Sequence, residues 1–138
     1  AHQRHLGRAA RLLDRVDIRA GLPPAGLPAP PGPDTAPVAT LVSEARAAAA
    51  KRWTRLGEPY TVNAHATTAA MHAAIRAARA VPTTVLAPLR HAVDVGALSA
   101  RGARGALRVA WTIADLAGAP APTPEHVTEA LAWRTGPT

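Results

Sequence analysis

The segment from Leu98 to Gly118 constrains the fold most, because it combines helical periodicity with a start and a stop signal. The hydroxyl of Ser99 can accept a backbone N–H in the first turn, and Gly118 suits the left-handed conformation that ends many helices. Apolar residues recur at helical spacing, at Leu107, Ala110, Trp111, Ala114 and Ala117. Arginines recur at steps of three and four, at Arg101, Arg104 and Arg108. The segment therefore predicts a helix with one face for a core and another for an anionic group.

Helical patterns also occupy the stretch before this segment. The first predicted helix opens near Asp34 or Thr35 and ends at Gly57, with Arg52 among the charged residues on its solvent side. Its apolar face, which we expect to meet the core, comprises Val38, Leu41, Val42, Ala45, Ala49, Trp53 and Leu56. A second helix is predicted from residue 67 or 68 to about residue 80. A third starts at residue 83 or 84, and Pro88 favours a kink or a later start there.

A fifth helix begins at Thr123, where a capping residue precedes a proline, and ends near Trp133. Before the helices, the alternation in residues 12–18 predicts a short strand, and residues 21–37 form a proline-rich linker. No strong strand pattern follows residue 20. The sequence therefore predicts an all-α fold, in which a small helical bundle over residues 38–138 follows a strand-bearing arm over residues 1–20 and the linker.

Composition limits the chemistry that this chain can perform. The formal net charge is +7, and Lys51 is the only lysine, so arginine supplies the positive charge. Arginine suits bidentate contacts to phosphate and carboxylate, although a genome rich in G and C would produce the same bias. The chain has no cysteine, which excludes disulfides and thiolate metal sites, and no apolar run is long enough to span a bilayer. The acids mostly stand beside arginines, as expected of a solvated surface.

Metal and hydrolytic sites are not indicated either. The six histidines are scattered, and only His2 and His5 have a spacing that would suit a shared metal on a helix. Their place near the start of the chain favours adventitious binding, and we predict no metal site. No Ser-His-Asp set or pair of carboxylates stands out.

Four segments carry a resemblance to a known family. They are Leu12–Ile18 with the sequence LLDRVDI, Asn63-Ala64, the helix from Leu98 to Gly118, and the tail from His126 to Arg134. Their order and spacing resemble the C-terminal region of ComM/YifB-type AAA+ ATPases, also called magnesium-chelatase-like proteins. The match covers nearly the whole chain, and its most specific piece is residues 112–116, TIADL.

The resemblance implies the helical lid of a cytoplasmic AAA+ motor that uses ATP and Mg²⁺. It also implies an upstream AAA+ core as partner, with residues 1–20 as a remnant of that core. The motor would be a homohexameric ring acting on DNA, as in branch migration during natural transformation, or a chelatase-like remodelling machine. In this comparison Arg15 matches an arginine finger that reaches a neighbouring subunit's nucleotide, and Arg101 matches the sensor-2 arginine. Arg104 and Arg108 would join Arg101 in binding the nucleotide.

The residues alone allow a plainer interpretation of both arginines. Arg15 stands beside Asp14 and Asp17, which is typical of a solvated local charge pair. Arg101 lies in the first turn of its helix, where it weakens the helix slightly but adds to an anion-attracting end. It could equally be an exposed helix arginine.

The sequence departs from the family pattern in three places. Ala9-Ala10-Arg11 stands where relatives usually show Ser-Gly-Pro, with about one residue fewer upstream. Gly105 and Trp111 replace positions that are commonly arginine, and Arg104 comes one step early. Gly102 and Gly105 each cost the helix about 1 kcal/mol relative to alanine. These changes predict fewer phosphate contacts from this helix than the family norm.

The chain lacks a Gly-x-x-x-x-Gly-Lys-Ser/Thr loop and an acidic magnesium-binding strand. We therefore expect no ATP hydrolysis by this polypeptide alone, and the missing initiator methionine leads us to expect a fragment or a trimmed chain. The resemblance implies that the parent protein is an ATPase. Two other functions stay open. One is an autonomous arginine-rich helical module that binds nucleic acid, with the Leu98–Gly118 helix as its contact face. The other is a purely structural bundle from a degenerate gene.

Overall fold

The computed structural model describes residues 12–22, 31–78, 82 and 84–135. Within these ranges the chain forms five α-helices, one 3-10 turn and no strand, which confirms the predicted all-α class. The 3-10 turn spans Asn63–His65. The helices are α1 (Thr35–Arg55), α2 (Thr68–Ala77), α3 (Ala87–Asp94), α4 (Ala100–Leu116) and α5 (Pro124–Thr135).

Helix α4 lies at the centre of the bundle and contacts the other four helices. It begins as predicted, because the Ser99 hydroxyl accepts the Gly102 N–H at 2.9 Å. It ends before Gly118, whose φ of 65° is left-handed. Four of its predicted core residues, Leu107, Ala110, Trp111 and Ala114, are buried. The prediction that the fifth, Ala117, also faces the core is wrong, because Ala117 is the C-cap residue and is exposed.

The starts of α2 and α3 follow local capping chemistry. The Thr67 hydroxyl accepts the Ala70 N–H at 3.2 Å, so α2 begins where the sequence predicts. It ends at Ala77, whereas residues 79 and 80 of the predicted helix lie outside the described residues. Helix α3 begins at Ala87 with Pro88 in its first turn, because proline has no N–H to donate and is tolerated there. The later start that Pro88 favoured is therefore confirmed.

The hydrophobic core is built from alanines around a few large side chains. The largest fully buried ones are Trp53, Trp111, Met71 and Leu107. The rings of Trp53 and Trp111 lie 6.1 Å apart between centroids. Because alanine has so small a side chain, α1, α2 and α4 can approach closely, and the two tryptophans fill the remaining space.

The first three turns of α1 do not join this core. Val38, Leu41 and Val42 are 41%, 50% and 38% exposed, and burial begins only at Ala45. The prediction that these three residues face the core is therefore wrong. These residues are helical, as their periodicity predicts, but this end of α1 extends past the helices on which its other half packs.

Residues 12–22, which we call the arm, do not form the predicted strand. Leu12 and Leu13 are helical, and the Arg15 and Val16 amides donate back to their carbonyls at 3.0 and 3.2 Å, which closes a turn. A strand needs a neighbour to pair with, and the described residues provide none. The arm instead crosses the end of α5, where the Arg19 N–H donates to the Trp133 carbonyl at 2.7 Å. Of the predicted linker, residues 23–30 lie outside the described residues, and α1 already begins at Thr35.

Candidate functional site

A buried arginine joins α1 to α4. The guanidinium of Arg52 donates from Nη1 to Asp115 Oδ1 at 2.6 Å and from Nη2 to Asp115 Oδ2 at 2.9 Å. Its Cζ lies 4.9 Å from the Trp53 ring centroid and 4.1 Å from that of Trp111, within cation–π range. Arg52 is 5% exposed and Asp115 6%. The sequence interpretation of Arg52 as a solvent-side residue, and of the acids as surface residues, is therefore wrong for this pair.

Asn63 completes this cluster from the 3-10 turn. Its Oδ1 accepts from Arg52 Nη2 at 2.7 Å and from Trp53 Nε1 at 3.3 Å. Its Nδ2 donates to Asp115 Oδ2 at 2.8 Å and to Thr112 Oγ1 at 3.2 Å. We call Arg52, Asn63, Thr112 and Asp115 the Arg52 network. Two segments that carry the family resemblance, Asn63-Ala64 and residues 112–116, thus meet in a network that fixes α1, the turn and α4 together.

A second buried arginine binds the arm. Arg134, in the last turn of α5, is 3% exposed. Its Nη1 donates to the Val16 carbonyl at 2.5 Å, and its Nη2 donates to the Asp14 carbonyl at 2.6 Å and to Asp14 Oδ1 at 3.1 Å. Asp17 Oδ1 lies 3.7 Å from Nη1. The Ser99 hydroxyl also donates to Asp14 Oδ1, at 2.6 Å. We call Arg134, Asp14, Val16, Asp17 and Ser99 the Arg134 cluster.

Asp14 is held in its charged form at the start of α4. The hydrogen bond from Ser99 is the largest cause of its lowered pKa, and the charge and hydrogen bond of Arg134 and the charge of Arg101 lower it further. Desolvation opposes these effects. The helix end that the sequence marks as anion-attracting therefore already has a carboxylate from the arm beside it.

The two glycines of α4 make room for this arrangement. A Cβ at Gly105 would collide with the carboxylate of Asp17. A Cβ at Gly102 would lie 2.9 Å from Arg134 Nε and 2.7 Å from a methyl carbon of Leu98. Gly102 and Gly105 weaken α4 as a helix, but they also allow the arm and Arg134 to approach it closely. The close approach of Asp17 therefore leaves no room for a side chain at Gly105.

Arg15 is exposed, and its expected pairing with the neighbouring acids is not formed. The carboxylates of Asp14 and Asp17 contact Arg134 instead. Among the described residues, the Arg15 side chain forms no hydrogen bond and no ion pair. The arm therefore presents a guanidinium to solvent while both nearby acids are engaged elsewhere.

The three arginines of α4 face different neighbours. Arg101 is exposed beside Asp14. Arg104 is exposed at a cavity of about 690 Å³ between α2, α3 and α4. Arg108 is half-buried and donates from Nη2 to the Ala66 carbonyl at 3.3 Å. Of these three arginines, Arg101 alone lies beside Asp14, the residue that precedes Arg15 in the arm.

The cavity at Arg104 is apolar inside and basic around its edge. Ile75, Leu89 and Leu107 are among the apolar side chains that line it, and Arg76 and Arg90 lie at its sides. His72 also lines it, and burial lowers the pKa of that imidazole, with further lowering by the charges of Arg76 and Arg90. Asp94 lines the cavity as well, so its charged lining residues are three arginines and one acid.

No helix in the described ranges is both long and apolar enough to cross a bilayer. No group of three or more potential metal ligands was found in the same part of the chain. His2 and His5, whose spacing would suit a shared metal on a helix, lie outside the described residues.

Comparisons with known proteins agree with the resemblance noted in the sequence. The family described as magnesium chelatase, subunit ChlI C-terminal, matches residues 32–134. Uncharacterized proteins of Mycobacterium bovis and of two Mycobacterium tuberculosis strains are each 39% identical over 136 residues, which is 96% of this chain. The chain spans 26% of the length of these relatives. No solved structure matches. Because the family match covers four of the described helices in full and α5 up to Arg134, the chain belongs to the C-terminal family of the magnesium chelatase subunit ChlI.

Proposed function

We propose that this chain is the lid and inter-subunit portion of a ComM-like AAA+ motor. In this proposal Arg15 is the arginine finger for a neighbouring subunit's ATP, and Arg101 is the sensor-2 arginine for the chain's own subunit. The observation that carries the proposal is the state of Arg15: it is exposed, and the two acids beside it contact Arg134. A guanidinium free of local carboxylates is the group that such a contact requires.

The side chains present fit this chemistry in part. Exposed arginines suit a triphosphate, but this sequence has no phosphate-cradling loop, so ATP would be held by a region outside these residues. Bound ATP with Mg²⁺ supplies the phosphoryl group that is transferred. Arg15 would stabilise the negative charge that develops there, a contact that can be worth about 10³ to 10⁵ in rate. The arm would hold the Arg15 backbone in place before the nucleotide arrives.

The α4 arginines would contribute unequally. Arg101 lies in the first turn and is exposed, so it could reach a phosphate near the helix end. Arg104 faces the cavity between α2, α3 and α4. Arg108 already donates to the Ala66 carbonyl. We therefore expect the effect of alanine substitution on turnover to fall in the order Arg101, Arg104, Arg108.

Assembly and cargo follow from the family resemblance. A homohexameric cytoplasmic ring would place each Arg15 against the nucleotide of the next subunit. The net charge of +7 is compatible with DNA as the substrate, as in branch migration during natural transformation. A chelatase-like remodelling activity would use the same ring and the same arginines.

The test is ATP turnover by the full-length protein that contains this chain. Arg15→Ala and Arg101→Ala should each lower kcat strongly while ATP binding, measured with a fluorescent analogue, is retained. Arg46→Ala is the matched control, since Arg46 is exposed on α1 and should leave kcat unchanged. Wild-type turnover by Arg15→Ala would contradict the proposal.

A second candidate is an autonomous nucleic-acid-binding module. The net charge and the exposed Arg101 and Arg104 on α4 favour it. Base stacking would contribute little, since aromatic residues make up 3% of the chain and Trp53 and Trp111 are buried. Duplex DNA binding by the 138-residue chain, measured against salt, is the test. If this function is correct, Arg101→Ala reduces the salt slope by about 1.

A further inference from the structure

We propose that Arg134 is a positioning residue for Arg15 and couples the place of that guanidinium to the start of α4. This inference rests on the proposed function, in which Arg15 acts on a neighbouring subunit's nucleotide. It assigns a separate role to Arg134, whose side chain is 3% exposed and cannot itself reach a ligand outside the bundle.

Arg134 binds the arm on both sides of Arg15. Its Nη2 donates to the Asp14 carbonyl and its Nη1 to the Val16 carbonyl, so it holds the residues on both sides of Arg15. A residue fixed on both sides has little freedom to redirect its side chain, apart from rotation about its own χ angles. One buried guanidinium thus sets the direction in which Arg15 leaves the arm.

Arg134 also occupies the two carboxylates that would otherwise attract Arg15. Asp14 and Asp17 are the nearest acids in sequence, and either would attract Arg15 if it were free. Arg134 lies 3.1 Å from Asp14 Oδ1 and 3.7 Å from Asp17 Oδ1. It therefore neutralises the two groups that would otherwise draw Arg15 back onto its own arm.

Ser99 links the arm to the end of α4 that carries Arg101. Ser99 donates to Asp14 and also accepts the Gly102 N–H, so a single hydroxyl connects the arm to the first turn of α4. Arg101 lies in this turn. A displacement of this turn would therefore carry Arg15 with it, and the two nucleotide sites that a subunit contacts would be coupled through the Arg134 cluster.

A substitution at Gly105 can test this arrangement without changing Arg15 or Arg134. Gly105 has no Cβ, and one added there would collide with the Asp17 carboxylate. Gly105→Ala should therefore displace Asp17 and, with it, the arm, yet alanine favours helix over glycine, which protects α4 itself. The effect on the arm is thus separated from any weakening of the bundle.

The first experiment measures amide hydrogen exchange in the full-length protein. Arg134→Gln and Gly105→Ala should each speed exchange at the Arg15, Val16 and Arg19 amides by about tenfold or more, because charge-assisted hydrogen bonds are worth at least that factor. Exchange in the core turns of α4 should stay as in wild type. Arg46→Gln is the control. Unchanged protection of the arm in both variants would overturn the inference.

The second experiment is a double-mutant cycle on ATP turnover. Arg134→Gln should lower kcat in the wild-type protein and change nothing further in Arg15→Ala, while Arg134→Lys restores part of the loss. A further fall in the Arg15→Ala background would make Arg134 merely structural and overturn the inference, with the proposed function intact. An Arg15→Ala protein with wild-type kcat would overturn the proposed function and this inference together, even where exchange shows a docked arm.

Discussion

Arg52 and Arg134 can be compared directly. Each is a nearly buried arginine in the last turn of a helix, and each binds a carboxylate with its guanidinium. They differ in their partners. The side chain of Asp115, which binds Arg52, is 1% exposed, whereas those of Asp14 and Asp17 are 35% and 48% exposed. The same chemistry therefore makes one permanent joint inside the bundle and one joint to the arm that solvent can enter. We expect the first to determine stability and the second to determine where Arg15 lies.

The largest expected effect is on the Arg52 side. Asp115→Ala leaves a buried guanidinium without its carboxylate, which should lower the free energy of unfolding by about 3–5 kcal/mol. Urea denaturation of the 138-residue chain measures it. Glu44→Ala, which removes an exposed acid from α1, is the control and should change little. A loss below about 1 kcal/mol would mean that the Arg52 network is not a stabilising joint.

The matching substitution on the other side is Asp17→Ala. Because Asp17 is half exposed and 3.7 Å from Arg134, the free energy of unfolding should fall by less than about 1 kcal/mol. The same urea titration measures it, beside Asp115→Ala. If the two substitutions cost the same, the distinction between a permanent and a dissociable joint is wrong.

Acid should release the arm while the bundle remains folded. The pKa of Asp14 is lowered, mainly by the Ser99 hydrogen bond, so the docked arm favours the charged carboxylate. The docking contribution of this group is therefore fully present above the ordinary aspartate pKa and is lost as pH falls through the lowered value. Amide NMR shifts of Arg19 follow docking, and those of Ala110 follow the bundle. Simultaneous loss of both would contradict this order.

The smallest expected effect is a pH dependence of stability that comes from His72, a residue outside both arginine clusters. Burial, followed by the charges of Arg76 and Arg90, lowers the pKa of His72, so the folded state favours the neutral imidazole. Its contribution to stability is present above the ordinary histidine pKa of about 6.5 and is lost as pH falls below it. Thermal melts at pH 7.5 and pH 5 should differ less in His72→Gln than in wild type. An equal difference in both would assign the pH effect to other groups.

Local chemistry predicted the helices well. The capping hydroxyls of Thr67 and Ser99, the left-handed Gly118 and the proline in the first turn of α3 all act within a few residues of sequence. The prediction of a strand over residues 12–18 was wrong because an alternating pattern does not reveal whether a second strand is there to pair with it. The prediction that Leu41 is buried was wrong because helical periodicity does not reveal where a neighbouring helix ends.

The two arginine clusters were missed because their partners are distant in sequence. Arg52 lies 63 residues from Asp115, and Arg134 lies 120 residues from Asp14. Two signals were present in the sequence: the family-resemblance segments, which contain Asn63, Asp115 and Arg134, and the pair of glycines in α4. Two residues that weaken a helix on the same face indicate that another part of the chain comes close, and in this protein that part is the arm with Arg134.

The most direct test of the central claim is complementation between two inactive full-length proteins. One carries Arg15→Ala, and the other has a disabled phosphate-binding loop but retains Arg15. If Arg15 acts on the neighbouring subunit's nucleotide, the mixture contains sites that combine an intact loop with an intact Arg15, and ATP turnover returns. A mixture that stays as inactive as its two components would contradict the account.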